Sequence, residues 1–108
     1  MDVFEAIAEP TRRDIIQILA RRGSLPSSAI AKSFDSTPSA ISQHLKILRE
    51  ARLVRVQKKA QQRIYEIEPE AIMELEDWLD HLKDVWNQRF DRLDQVLKDK
   101  ENKHGKNN

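Results

Sequence analysis

The chain has 108 residues, enough for one domain with a modest core, and 34% of them are charged while 6% are aromatic. Two glycines and four prolines are too few for the many turns of a β-sandwich or barrel, so the composition favours a mainly α-helical fold. The lack of cysteine excludes disulfides, thiolate metal sites and cysteine nucleophiles, and it fits a reducing cytoplasm. No basic segment precedes an apolar run at the amino terminus, and no apolar stretch reaches the ~18 residues of a membrane span, so neither secretion nor membrane insertion is predicted.

The net charge of +1 hides an uneven distribution along the chain. Residues 44–65 hold seven basic side chains and one acidic side chain, whereas residues 66–101 hold twelve acidic and five basic ones. A basic block beside an acidic block predicts one electropositive face, of the kind that attracts nucleic acid. The alternative is a solvated surface on which charges cluster by chance.

The amino-terminal residues predict two helices. Residues 2–8 place Val3, Phe4 and Ile7 on one side of a short helix. Pro10 suits the first position of a second helix, because its missing N–H would have no partner there, and Gly23 ends that helix.

A helix, a turn and another helix are expected between residues 27 and 50. After Ser24-Leu25-Pro26, Ser27 or Ser28 can cap the first of the pair. Thr37 is the expected N-cap of the second, with Pro38 in its first turn. Two helices joined by a short turn form the helix-turn-helix arrangement, whose second helix enters the major groove of DNA.

The pattern then changes period. Residues 53–57 and 63–67 are rich in β-branched and aromatic side chains and predict a β-hairpin with a polar tip at 58–62. Pro69 opens a long helix to about Lys100, whose apolar residues recur every three or four positions, close to the repeat of a packed helical seam. The expected fold is a mainly α winged helix-turn-helix with a small β-hairpin. It forms one DNA-binding and dimerisation domain over residues 1–101, and residues 102–108 are expected to be a disordered polar tail.

The apolar face of the last helix is longer than a domain of this size can cover. We expect part of it in the core and most of it in a homodimer interface, together with apolar residues of the first helix. The predicted interface residues are Val3, Phe4, Ile7, Leu75, Trp78, Leu79, Leu82, Val85, Trp86, Phe90, Leu93 and Leu97.

The fourth helix is the expected recognition helix for double-stranded DNA. Its apolar residues Ile41, Leu45 and Leu48 must lie inward, which turns polar side chains outward near its amino end. Gln43 can pair with adenine, His44 can contact guanine or a phosphate, and nearby hydroxyl and basic groups can bind phosphates. The predicted DNA-contacting residues are Ser27, Ser28, Thr37, Pro38, Ser39, Ala40, Ser42, Gln43, His44, Lys46, Arg49, Lys58, Lys59, Gln61, Gln62 and Arg63. A core position is the alternative for His44, and a solvated hairpin tip is the alternative for the last five residues.

Several motifs resemble those of the ArsR family of winged-helix repressors, over roughly residues 4–67. The string Ala8-Glu9-Pro10-Thr11-Arg12-Arg13 resembles the opening of that family, and Ser42–Leu48 contains the Ser-x-His-Leu-x-x-Leu core of its recognition helix. The resemblance implies a dimeric DNA-binding repressor. The last helix, with Trp78, Trp86 and Phe90, resembles a subgroup without metal ligands.

Two positions depart from the family pattern, because Arg52 and Ala60 stand where the family usually has glycine. Glycine adopts positive φ at low cost and other residues do not. Either the backbone differs at these two positions or the chain accepts some strain there.

The means of regulation stays open. Asp77, His81 and Asp84 share one helix face, but a second histidine is missing until His104, so neither a metal site nor any cofactor is predicted. A constitutive autorepressor, an organic effector and a protein anti-repressor remain as alternatives. The different-class alternative is a protein-interaction module that docks through the long helix. An enzyme is disfavoured, because no phosphate loop and no set of histidine, nucleophile and carboxylate is present.

Overall fold

The computed structural model describes the backbone of residues 1–104 and the side chains of residues 1–89 and 95–100. It divides into two compact units, Met1–Leu75 and a second unit that begins at Glu76. The elements are α1 (Val3–Ala8), α2 (Pro10–Arg22), β1 (Ser24–Pro26), α3 (Ser27–Lys32), α4 (Pro38–Glu50), β2 (Val54–Lys59), β3 (Gln62–Ile67) and α5 (Pro69–His104). The order confirms the winged helix-turn-helix fold expected from the sequence.

The helix starts follow from capping chemistry. The Asp2 side chain accepts from the Glu5 N–H while the Glu5 side chain accepts from the Asp2 N–H, which closes a capping box on α1. The Glu9 carboxylate caps α2, and Thr37 caps α4 as predicted. The third start was predicted wrongly: the N-cap position of α3 is Pro26, and neither Ser27 nor Ser28 caps the helix.

Three strands form an antiparallel sheet in the order β1-β3-β2. The edge strand β1 was not predicted, because three residues that include a proline are too short to show an alternating pattern. Its Leu25 lies opposite Tyr65 of β3 and is buried. The sheet therefore ties the end of α2 to the hairpin.

The hairpin strands are longer than the sequence predicted. Lys59 pairs with Gln62, so the loop is only Ala60 and Gln61, and the expected five-residue tip is corrected to two residues. The two strands keep one register up to the loop, so Lys58 also pairs with Arg63.

Both residues that stand in place of a family glycine adopt a strained backbone conformation. Arg52, between α4 and β2, has φ 64°, and Ala60 has φ 55°. A side chain in this left-handed region costs roughly 1–2 kcal/mol. Gly23, by contrast, adopts φ 88° without that penalty, which lets the chain turn sharply from α2 into β1.

The core of the first unit lies where α2, α3 and α4 meet the sheet. Its fully buried large side chains are Ile15, Leu19, Ile30, Ile41, Leu45, Leu48, Leu53 and Val54. Val3 is also buried in this core, at 5% exposure, so its assignment to a dimer interface is corrected: its own chain already covers it. Leu75 and Ile7 are partly buried against the same core, and Phe4 is half-buried.

The second unit is the long remainder of α5. Seven large apolar side chains in it are about half exposed: Trp78, Leu79, Leu82, Val85, Trp86, Val96 and Leu97. The predicted interface residues Phe90 and Leu93 lie outside the described side chains. The helix continues to His104, three residues into the segment predicted as a disordered tail. No helix in the described part of the chain is long and apolar enough to cross a membrane.

Candidate nucleic-acid interface

Helix α4 presents a polar stripe on the face opposite its buried residues. Ile41, Leu45 and Leu48 are at most 1% exposed. Ser39, Gln43 and Lys46 lie on the other side of the helix and are exposed. This is the arrangement that the apolar spacing predicted, since residues three and four apart share a face.

The amino end of α4 is fixed and open to solvent. The Thr37 Oγ1 accepts from the Ala40 N–H at 3.0 Å, so this hydroxyl serves its own helix. Pro38, Ser39 and Ala40 form the exposed first turn. The amino end of α4, which would approach base edges, is therefore capped and exposed to solvent.

A cavity of about 130 Å³ joins α4 to the hairpin. Its lining residues are Ser42, Gln43, Lys46, Arg49, Arg63 and Tyr65. Arg63 belongs to β3, so the hairpin brings a third cation beside Lys46 and Arg49 of the helix. The polar stripe of α4 and strand β3 of the hairpin therefore line one cavity, with three cations around it.

A larger groove, about 290 Å³, runs between α3, α4 and β3. Ser27 and Ser28 stand on one side, Pro38 and Ser42 on another, and Arg63 closes it from the hairpin. Tyr65 lines this groove as well as the smaller cavity. The sequence analysis did not select Tyr65 as a site residue, because a tyrosine in an alternating strand is most simply a core residue.

His44, which was predicted to contact DNA, is engaged with residues of its own chain. Its side chain is 23% exposed and lies against α2, where its Nδ1 is 3.4 Å from Arg12 Nη1 and 3.7 Å from Glu9 Oε2. Because a guanidinium only donates, Nδ1 accepts the bond from Arg12. The sequence carried the signal: His44 is three residues after Ile41 and four before Leu48, so it flanks the buried face.

Arg12 is the residue that sequence reasoning missed most clearly. It is 8% exposed, its Nε donates to the Ala6 carbonyl at 2.6 Å, and its Nη2 donates to the Glu5 carbonyl at 3.4 Å. One guanidinium therefore satisfies carbonyls at the end of α1 and also contacts the recognition helix through His44.

Glu9 completes this junction. Desolvation raises the pKa of its carboxyl, but hydrogen bonds from the Arg12 and Thr11 N–H groups and the electrostatic effect of His44 outweigh it, so the pKa is lowered overall from 4.5. The carboxylate accepts from the Arg12 N–H at 2.9 Å. The charged form of Glu9 is thus favoured at the start of α2.

The hairpin residues divide into two groups. Lys58, Lys59, Gln61 and Gln62 are exposed along the outer part of the strands and the loop. Arg55 is engaged within the sheet: its Nε donates to Glu66 at 2.7 Å and its Nη1 donates to Glu68 at 3.0 Å. Part of the basic block in the sequence is therefore neutralised by the protein itself.

Among the residues whose side chains are described, no group of three or more histidine, aspartate or glutamate side chains lies close enough to hold a metal ion. Asp77, His81 and Asp84 share a helix face without forming such a group. The exposed polar groups of the polar stripe on α4 and of the outer part of the hairpin are hydroxyls, amides and cations.

The structure combines a helix-turn-helix with a three-stranded sheet, and its polar recognition helix lies beside basic strands. These features define a winged helix-turn-helix DNA-binding protein. The profile of the family described as "Helix-turn-helix domain" matches residues 7–57. The transcriptional repressor SdpR of Bacillus subtilis (strain 168) is 32% identical over 78 residues, which cover 72% of this chain and 86% of the repressor.

Solved structures agree with this assignment. The crystal structure of the ArsR family transcriptional regulator RHA00566 superposes with a TM-score of 0.72 at 32% identity, covering 79% of this chain and 87% of that one. That of a possible transcriptional regulator for arsenical resistance gives 0.71 at 35% identity, covering 92% and 96%. The chain belongs to the ArsR family of winged helix-turn-helix transcriptional regulators. It is a DNA-binding transcriptional repressor and not an enzyme.

Proposed function

We propose that the chain represses transcription as a homodimer bound to an inverted-repeat operator, with residues 1–101 acting as one DNA-binding and dimerisation domain. The observation that carries this proposal is the exposed stripe Ser39-Gln43-Lys46 on α4, flanked by Arg49 and Arg63. A polar stripe of this width on a rigid helix fits the major groove, while flanking cations meet the phosphates on either side.

Gln43 reads a base in this proposal. Its amide has one donor and one acceptor side, which match N6 and N7 of adenine in the major groove. The Ala40 methyl, on the exposed first turn, suits contact with a thymine methyl. Lys46 and Arg49 lie further along the helix and bind backbone phosphates.

The remaining predicted residues position the duplex. Ser27, Ser28 and Ser42 supply hydroxyl donors from α3 and α4. The exposed side chains of the wing reach a neighbouring stretch of backbone or minor groove: Lys58, Lys59, Gln61, Gln62 and Arg63. Such contacts carry little sequence information but set the register in which Gln43 meets the bases.

The apolar face of α5 is the proposed dimer contact, together with Phe4 and Ile7 of α1. From Trp78 to Leu97 the helix rises about 28 Å, with half-exposed large apolar side chains over this length. A strip of this size marks an interface, and a second copy related by a twofold axis presents the same strip. Two recognition helices then enter successive major grooves about 34 Å apart.

The test begins with selection of bound duplexes from a random library by the purified chain, followed by binding measurements on the selected duplex and a scrambled one. Gln43→Ala should lower affinity for the selected duplex by roughly 5- to 100-fold, because a paired base contact is worth about 1–3 kcal/mol. On the scrambled duplex the same variant should bind like the wild type.

Gln17→Ala is the matched control, since Gln17 is an exposed glutamine on α2 and is not among the predicted DNA contacts. It should change neither affinity. An equal loss on both duplexes for Gln43→Ala would remove the base-reading role, and a wild-type chain that binds no duplex at low salt would end the proposal.

A further inference from the structure

The groove between α3, α4 and β3 is lined by hydrogen-bond donors with one cation at its edge. Ser27, Ser28 and Ser42 provide three hydroxyls, and Arg63 provides the guanidinium. No carboxylate of the described residues lines it. A concave site with several donors, a positive charge and no acidic group selects an anion with several acceptor oxygens.

Tyr65 also lines this groove. The state of its hydroxyl is the observation that points to a ligand. The residue is 6% exposed and belongs to the same buried core as Ile41 and Leu45, which also line the groove. No group among the described residues makes a hydrogen bond with its hydroxyl. Yet no described side-chain oxygen or nitrogen is both shut off from solvent and without a partner, so the hydroxyl keeps some access to solvent, and Tyr65 lines this groove. A buried tyrosine ordinarily pairs its hydroxyl.

We propose that this groove, which we call the Tyr65 groove, is a phosphate seat: one backbone phosphate of the bound DNA lies in it and accepts hydrogen bonds from Tyr65 and Ser42 and a charge-assisted bond from Arg63. The inference rests on the proposed function and adds Tyr65 to its contacts. Free phosphate shares the chemistry and is the second source that the experiment separates.

The geometry gives this seat a positioning role. Tyr65 is locked by its packing, so it loses little conformational freedom when it binds, unlike a long surface lysine. Ser42 lies on α4 next to Gln43, so a phosphate fixed against Tyr65 and Ser42 sets where Gln43 meets the bases. The seat therefore links backbone contact to base reading.

The experiment is a double-variant cycle on the selected duplex. Single phosphates are replaced one at a time by neutral methylphosphonates, and each duplex is titrated with the wild type and with Tyr65→Phe, which keeps the ring and removes only the hydroxyl. At one phosphate per half-site, the wild type should lose about tenfold in affinity, and Tyr65→Phe should lose clearly less than that. Ser24→Ala removes a hydroxyl outside the groove and should leave the whole scan unchanged.

Additive losses at every phosphate would overturn the proposal for DNA. Should Tyr65→Phe melt below the wild type, Ser42→Ala gives the same cycle without touching a buried ring. Titration with inorganic phosphate at constant ionic strength, followed through the amide signals of Ser28 and Ser42, is the second arm. Saturable shifts that weaken in Tyr65→Phe support the seat, and shifts that chloride reproduces contradict it.

The two experiments distinguish a DNA phosphate from free phosphate as the bound anion. They also distinguish failure of this inference from failure of the proposed function. Phosphate-specific shifts with an additive DNA scan would mean a site for a free anion, and the DNA phosphate seat would be wrong. If no duplex binds at all, the proposed function fails, while the phosphate titration still tests whether the groove takes this anion.

Discussion

At the scale of single residues, the buried Arg12 is the side chain that links the amino-terminal helices to the recognition helix. It joins three helices, since its guanidinium donates to carbonyls at the end of α1, belongs to α2, and contacts His44 of α4. A buried charge without such partners would be costly, so its hydrogen bonds define the relative placement of α1 and the recognition helix.

Arg12→Met should lower the free energy of unfolding by about 2–3 kcal/mol, because the carbonyls of Ala6 and Glu5 lose a charged donor in a buried place. Arg13→Met is the matched control: Arg13 also donates to two carbonyls of α1, but it is exposed. That variant should lose under about 1 kcal/mol, since water replaces the donor. Urea unfolding measures both, and equal losses would contradict the structural role of Arg12.

Glu9 makes the stability depend on pH in the acidic range. Its pKa is lowered in the folded state, so its contribution is fully present above the unfolded value of about 4.5 and is lost as the pH falls through the folded value. Glu9→Gln should therefore be less stable than the wild type at pH 6, and the difference should shrink below pH ~4. Thermal melting at several pH values tests this, and a difference that is constant with pH would refute it.

The sequence could assign Ile41, Leu45 and Leu48 to the core, because three apolar residues at helical spacing leave one orientation of α4. It could also start that helix at Thr37. It could not place Arg12, since nothing local distinguishes an arginine that bridges three helices from Arg13, its exposed neighbour. For His44 the motif favoured a DNA contact and the helix periodicity favoured the edge of the buried face, and the sequence left both open.

At the scale of elements, the wing is built with strain at both ends of β2. Arg52 and Ala60 hold positive φ in the turns that start and end this strand. The sequence showed the missing glycines but left two outcomes open, because backbone geometry at a turn depends on what the flanking strands require. Because strand pairing continues to Lys59↔Gln62, only two residues remain for the loop, and Ala60 adopts a strained positive φ there.

Ala60→Gly should raise the free energy of unfolding by roughly 0.5–1 kcal/mol, because relief of the left-handed strain exceeds the added entropy of glycine in the unfolded chain. Ala20→Gly, at an exposed position inside α2, should lower it by a similar amount. Opposite signs in urea unfolding support this account of the turn. A loss of stability in both variants would show that the turn is not strained.

At the scale of the whole molecule, the chain separates two tasks along its length. Residues up to 75 carry the polar stripe, the wing and the Tyr65 groove, while the unit from Glu76 onward carries a long apolar strip beside an acidic surface. The apolar repeat predicted the strip from the sequence alone. The sequence could not assign individual residues such as Val3 and Leu75 to the core, because their burial depends on how distant segments meet.

Leu82→Glu should weaken the proposed dimer, because a carboxylate would be desolvated at the centre of the apolar strip, where Leu82 is 46% exposed in the single chain. Gln88→Glu adds the same charge at an exposed position away from this strip and should leave the association state unchanged. Sedimentation equilibrium distinguishes them. If Leu82→Glu associates like the wild type, the strip is not the dimer contact.

The central claim is that paired α4 helices occupy two successive major grooves. Methylation protection of guanine N7 on the selected duplex tests it most directly, because this atom lies in the major groove. The account predicts two symmetric clusters of protected guanines about 10 base pairs apart, centre to centre. Unprotected guanines throughout the bound duplex would contradict it.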